Sequence, residues 1–315
     1  MTYLNQSINA ASVEDGPIEN YRFKGMLVGP SKGGKTTLSV TLPQKEGKPH
    51  LLIDTDNRWQ SIAGTKGVEV LSVMDLASSQ SIKPGMTVDD ISTDSMVRAW
   101  SILNDINNEL WLSARKGEHD FPYSSVISDG LSSLNRLALI FVLSLKEKAD
   151  GTEMSYGLAG APAKQHFGPQ MHILSQLLFS LKALPCHYIL TGHLELFEDK
   201  KKGTIFWLPR IIGNTRNEIG SWFDETWECE SRPNNEKGTQ TYIINTFGSG
   251  TRKFLGSSLN KQGKVWKPPV EFNLSESPCG IEKLISLRFG KKGDAPKEEK
   301  VSMLKTVKAN QTKAN

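Results

Sequence analysis

The segment Gly29-Pro30-Ser31-Lys32-Gly33-Gly34-Lys35-Thr36 spells the phosphate-binding pattern G-x-x-x-x-G-K-[ST] in full. It limits the fold more than any other stretch, because such a loop works only between a strand and a helix. The apolar run from Phe23 to Val28 supplies the strand, and Thr37 to Leu42 reads as a helix that Pro43 stops. Gly33 and Gly34 let backbone N–H groups curl around a phosphate, and the helix N-terminus adds partial positive charge. Lys35 reaches toward β- and γ-phosphates, and the Thr36 hydroxyl suits Mg²⁺. Pro30, Ser31 and Lys32 complete the loop, and Thr37 lies beside it in the helix.

The rest of the chain continues the alternation of strand and helix. Leu51-Leu52-Ile53, within Pro49 to Asp54, is fully apolar, as in a buried parallel strand. Val68 to Val73, Ser124 to Ser128 and His187 to Thr191 read as further strands. Residues 75–93 read as a surface loop around Pro84-Gly85, after which Asp94 offers an N-cap to a long helix ended by Gly117. Its buried face is marked by Met96, Val97, Trp100, Leu103, Ile106, Leu110 and Trp111 at three- and four-residue spacing. Ser132 to Ala149 and Phe167 to Leu184 read as two more helices. After Leu194 short strands take over, at Thr204–Leu208, Glu225–Glu230 and Thr239–Phe247, which indicates an antiparallel extension. The expectation is an α/β core over residues 21–289, a mostly parallel sheet with helices on both faces and an antiparallel C-terminal extension. A polar leader, 1–20, precedes it and a basic tail, 290–315, follows.

Composition narrows the class without naming it. A chain of 315 residues, 37% hydrophobic and 23% charged, is ordinary for a globular protein. No apolar run approaches a membrane span, and the first 20 residues lack a signal-peptide pattern. Cys186, Cys229 and Cys279 have no metal-ligand spacing and read as free thiols in a reducing compartment, the cytoplasm. Seven lysines against three acids in residues 290–315 account for the whole net charge of +4. Such a tail solubilises the chain or touches nucleic acid.

Three further positions qualify the glycine loop. Val126-Ile127-Ser128-Asp129 is an apolar strand ending in an acid, the Walker B pattern, and Asp129 would hold Mg²⁺ with Thr36. Ile53-Asp54-Thr55-Asp56 ends the strand after the loop's helix; its acids either orient an attacking water or cap a turn. Tyr188-Ile189-Leu190-Thr191-Gly192-His193 ends a later strand, with His193 aimed at the same sheet edge.

The order of Gly29–Thr36, Ile53–Asp56, Val126–Asp129 and Tyr188–His193 resembles the RecA-like P-loop NTPase core. More narrowly, it is similar to phage-encoded nucleotide-binding proteins of the Sak-type single-strand-annealing and recombination group. The likeness lies in the acid after the second strand, the S-D Walker B pair, the T-[AG]-H strand end, and the stretch Leu208-Pro209-Arg210-Ile211-Ile212-Gly213 followed by Glu218-Ile219-Gly220-Ser221-Trp222-Phe223-Asp224-Glu225. It covers roughly residues 21–255.

The resemblance implies an enzyme that hydrolyses ATP with Mg²⁺ in phage DNA recombination or annealing, working in the host cytoplasm. Asp56 stands where RecA carries its catalytic Glu, Asp129 at Walker B, and His193 where RecA carries a polar sensor. The basic element that completes such sites from a neighbouring subunit looks like Arg252-Lys253, with Arg210 and Arg216 as alternatives. The implied partners are single-stranded DNA, further copies of the chain in a ring or filament, and a single-strand-binding protein as a further candidate. Loops Gly151–Gly160 and Glu198–Gly203 would face the DNA, with Tyr156 stacking on a base and Lys200, Lys201 and Lys202 following phosphates. Two departures stand out: Asp56 is one methylene shorter than Glu, and RecA's separate polymerisation helix has no counterpart unless residues 1–20 replace it. Two other functions compete. One is a nucleotide-gated assembly protein with little hydrolysis. The other is a small-molecule P-loop kinase, which needs an arginine-rich lid not found between Asp129 and His193.

Overall fold

The computed structural model describes residues 21–45, 47–81, 88–145, 162, 164–200, 203–213, 215–234, 238–248, 250–258, 270–274 and 277–289. The leader, the basic tail, Gly151–Gly160 with Tyr156, and Lys201 and Lys202 lie outside these residues.

In chain order the elements are β1 (Lys24–Gly29), α1 (Lys35–Ser39), β2 (His50–Asp54), β3 (Val68–Ser72), α2 (Val73–Ser81), α3 (Val88–Ala114), β4 (Ser125–Asp129), α4 (Leu131–Ser144), α5 (Lys164–Lys182), β5 (His187–Asp199), β6 (Thr204–Pro209), α6 (Thr215–Glu218), β7 (Glu225–Asn234), β8 (Thr239–Asn245), β9 (Gly256–Ser257), β10 (Val270–Phe272) and α7 (Gly280–Phe289). The sheet runs β10-β8-β7-β1-β5-β4-β2-β3. From β7 to β3 every neighbouring pair is parallel, while β8 and β10 add on antiparallel. The expected α/β class, a mostly parallel sheet with helices on both faces and an antiparallel extension, is present, with one correction: β7, expected in the extension, pairs parallel with β1 and so belongs to the parallel part, and the antiparallel addition begins at β8.

Alternation along the strands divides the sheet into two faces. Met26, Val28, Leu51, Ile53, Val126 and Leu190 pack with Trp100 and Leu103 of α3, Leu134 of α4 and Leu174 and Leu178 of α5. On the other face Leu27, Leu52, Ile127, Ile189 and Trp227 pack with Leu38 of α1, Ile62, and Ile281, Leu284 and Ile285 of α7. Helix α7 is tied to the end of α1 through Thr41. The Ile281 N–H donates to the Thr41 hydroxyl at 2.9 Å, and the Glu282 N–H to the Thr41 carbonyl at 2.9 Å.

Four local expectations are corrected. Residues 75–93 are not a surface loop: α2 covers 73–81, and α3 is already under way at Val88. Val73 and Ala77, four apart and both buried, hold α2 to the core, too short a signal to stand out among serines. Asp94 is not a cap but sits inside α3, 3.6 Å from Arg98 one turn on. Helix α1 stops at Ser39, short of Leu42. Strand β5 runs eight residues past Thr191, leaving the sheet to form a ribbon with β6. None of the three cysteines forms a disulfide, and Cys186 and Cys229 are buried.

Candidate functional site

Parallel strands bring their carboxyl ends to one edge, and register fixes which ends meet. Gly29 of β1 pairs with His193 of β5, and Asp54 of β2 with Asp129 of β4. Because β5 lies between β1 and β4, Thr191 and His193 stand between the glycine loop and the acid. A cavity of about 620 Å³ opens over this edge. Its first wall is the loop from Ser31 to Thr37, and its floor is Asp129, Gly130, Thr191 and His193. Asp56, Arg58 and Ser61 form the far wall, and Gln240 and Tyr242 of β8 close the opposite side.

The loop's glycines answer to their neighbours. A Cβ on Gly29 or Gly33 would lie 2.2 or 2.8 Å from the Cys229 carbonyl oxygen of β7, so strand and loop approach backbone to backbone there, and the Ser231 hydroxyl of β7 donates to the Lys32 carbonyl at 2.8 Å. Gly34 has φ +83, and a Cβ there would meet the Tyr242 ring at 2.4 Å. Lys35, folded over the loop, donates from Nζ to the Pro30 carbonyl at 2.7 Å and the Gly29 carbonyl at 3.2 Å. Burial lowers its pKa, against the opposing pull of Cys229, Asp129 and Asp56.

Asp129 is held on both oxygens. The Thr36 hydroxyl donates to Oδ2 at 2.7 Å and the Thr191 hydroxyl donates to Oδ1. Thr191 in turn accepts from the Gly130 N–H at 3.1 Å, which fixes its direction. His193 Nδ1 lies 3.5 Å from Lys35 Nζ; burial and then the Lys35 charge lower its pKa, so the ring is neutral at pH 7 and can accept there.

The two acids after β2 have different fates. Asp54 is fully buried and accepts three backbone N–H bonds, from Asp56 at 2.9 Å, Arg58 at 2.8 Å and Trp59 at 3.0 Å. Burial raises its pKa and those three bonds offset part of the rise. It is a turn cap. Asp56 faces the cavity and accepts the Ser133 hydroxyl.

The expected basic residues do not line the cavity of their own chain. Arg252 pairs with the buried Glu228 at 2.6 Å, reaches Glu230 at 3.8 Å and lies over the Trp207 ring at 5.9 Å. Lys253 is exposed. Arg216 donates to the Gly213 carbonyl at 3.0 Å and covers Phe197 at 5.2 Å. Arg210 contributes its backbone, the N–H bonding to the His193 carbonyl at 2.7 Å, while its side chain is exposed. Conversely, the structure adds Arg58, Ser61, Ser133, Gln240 and Tyr242 to the site. Arg58, four residues past Asp54, could have been noticed beside Asp56. Gln240 and Tyr242 arrive from a distant strand and carry no local signal.

A glycine loop closed on a strand, a threonine hydroxyl bonded to a strand-end carboxylate, and a second acid across the cavity define a P-loop NTPase. The chain belongs to the AAA domain family, which matches residues 22–253. Among solved structures, the crystal structure of the RadB recombinase is similar at 12% identity over 81% of this chain and 89% of that one, with a TM-score of 0.36. Comparison with curated proteins gives no match.

Proposed function

We propose that this chain is a RecA-like ATPase of phage DNA recombination or single-strand annealing, of the Sak-type group, acting as an oligomer on single-stranded DNA in the host cytoplasm. The observation that carries the ATPase is the convergence of Lys35, Thr36, Asp129, Asp56 and His193 on one cavity. The recombination role rests on the order of the motifs and on the stretch from Leu208 to Glu225. Among the described residues no helix is long and apolar enough to cross a membrane.

The residues fit Mg²⁺: a hydroxyl and a carboxylate oxygen 2.7 Å apart beside the loop are hard donors, and Mg²⁺ takes few protein ligands. Thr36 and Asp129 would hold it, and when bound it neutralises phosphate charge. Lys35 follows the β- and γ-phosphates from its place on the loop. Asp56 orients the attacking water across the cavity, and neutral His193 offers a hydrogen bond near the γ-phosphate without adding charge. One observation favours a slower, nucleotide-gated assembly protein: Asp56 already accepts the Ser133 hydroxyl, which competes with a water for it.

The test is phosphate release from ATP with and without single-stranded DNA. Hydrolysis that DNA accelerates is the expected result. Binding of ATP without turnover would select the assembly protein, and turnover dependent on a small-molecule acceptor would select a kinase.

A further inference from the structure

Phosphoryl transfer by P-loop enzymes is strongly accelerated by an arginine beyond the loop lysine and Mg²⁺, and the sequence points to Arg252-Lys253 from a neighbour. The structure weakens that choice. The Arg252 guanidinium is engaged at home by Glu228, itself 1% exposed, and by Glu230. Freeing it would leave a buried carboxylate without its cation, which is costly.

Arg58 has the opposite character. It lines the cavity on the wall that carries Asp56, facing the glycine loop, and is exposed. Among the described residues its guanidinium has no ion pair or hydrogen bond, so nothing must be broken for it to meet a ligand. Its backbone, by contrast, is fixed: the N–H donates to the buried Asp54 at 2.8 Å, and the preceding Asn57 sits in the left-handed region at φ +53. The carboxylate that caps this turn therefore sets Asp56 and Arg58 side by side.

We propose that Arg58 completes the hydrolytic site from within the same chain, its planar fork contacting the γ-phosphate oxygens as charge develops on them. This rests on the ATP-hydrolysis reading above. In the step, the water oxygen forms a bond to the γ-phosphorus and the bond to the bridging oxygen breaks. That electron pair stays on the β-phosphate of ADP, and the water's proton passes by way of Asp56 to the released phosphate. Arg58 stabilises the moving charge and transfers no proton. A chain equipped this way would hydrolyse ATP at each site without a neighbour's arginine.

The test compares the full-length wild type with Arg58→Ala, Arg58→Lys and Lys35→Ala in steady-state phosphate release, with affinity read from a fluorescent ATP analogue. Arg58→Ala should lower kcat by about 10³-fold or more, the usual worth of such an arginine, with affinity within about threefold. Arg58→Lys should recover a part, having the charge without the fork. Mixing Arg58→Ala with Lys35→Ala subunits should restore nothing, since each lesion disables its own site. Arg58→Ala turnover within about threefold of wild type, with Lys35→Ala inactive, would overturn the role of Arg58 and leave the site standing. Rescue by mixing would overturn action within one chain. A wild type that releases no phosphate under any condition would overturn the hydrolysis reading and this inference together.

Discussion

Both ends of the parallel strands carry polar side chains and use them in opposite ways. At the carboxyl end Lys35, Asp56, Arg58, Asp129 and His193 face a shared cavity. At the amino end Lys24, Ser124 and His187 bond backbone groups, and His50 bonds a neighbouring side chain. Lys24 Nζ donates to the Leu184 and Cys186 carbonyls, each at 2.7 Å. The Phe23 N–H donates to His187 Nδ1 at 2.9 Å, and His50 Nδ1 meets the Ser125 hydroxyl at 2.8 Å. Ser124 accepts from the Lys45 N–H at 2.8 Å and donates to the Lys48 carbonyl at 2.7 Å. Titratable groups gathered in one place do not make a site. At the amino end the segments leading into the strands bond Lys24, Ser124 and His187, and Ser125 of β4 bonds His50. At the carboxyl end the glycine loop and the turn after β2 turn outward and leave space between them.

That contrast can be broken most sharply at Lys35. Lys35→Ala should reduce ATP turnover by at least about 10²–10³-fold, while the melting temperature stays within a few degrees, because burial already disfavours this cation. Turnover close to wild type would show that the carboxyl end is no more a site than the amino end. Asp56→Asn comes next. Phosphate release should fall by about 10²-fold with nucleotide binding kept, and a parallel loss of binding would make Asp56 a structural residue like Asp54.

The amino end should answer in stability instead. His187→Ala leaves the buried Phe23 N–H without an acceptor and opens a hole, for a loss of about 2–3 kcal/mol in urea unfolding. Turnover per folded molecule should not change. Burial holds the pKa of His50 at about 4 and that of His187 at about 3. Both lie below the unfolded value, so the unfolded chain binds more protons. Stability is then full above about pH 6.5 and falls as pH drops toward 4, by up to about 1.4 kcal/mol per pH unit for each histidine. A flat profile between pH 7 and 5 would contradict their closed environment. The smallest effect belongs to the rim. Glu118 pairs with Arg22 and Lys45 but is well exposed, and Glu118→Gln should cost less than about 1 kcal/mol.

The same contrast explains what the sequence could disclose. The glycine loop, Asp129 and His193 end apolar strands, so hydrophobic pattern and motif together placed them at one edge, and register then joined them. The roles of Asp54 and Asp56 were not legible, because two acids two residues apart look alike until the turn's N–H groups choose one. The tie between Arg252 and Glu228 was equally hidden: it joins two residues on different segments of the extension. Helix α2 was missed because only Val73 and Ala77 signal it among polar neighbours.

The bond between Thr41 and α7 sets a schedule for the molecule's own making. Residues 41 and 281 are 240 positions apart, and a ribosome adding roughly 5–20 residues per second takes on the order of 10–50 s to cover that distance. Through that interval Leu38, Leu42 and Ile62 stand without the helix that covers them, beside a glycine loop whose β7 and β8 walls also come late. The first segment with a recognisable task is thus among the last to be sheltered. A nascent chain should resist protease around Lys35 only after Ile285 has emerged.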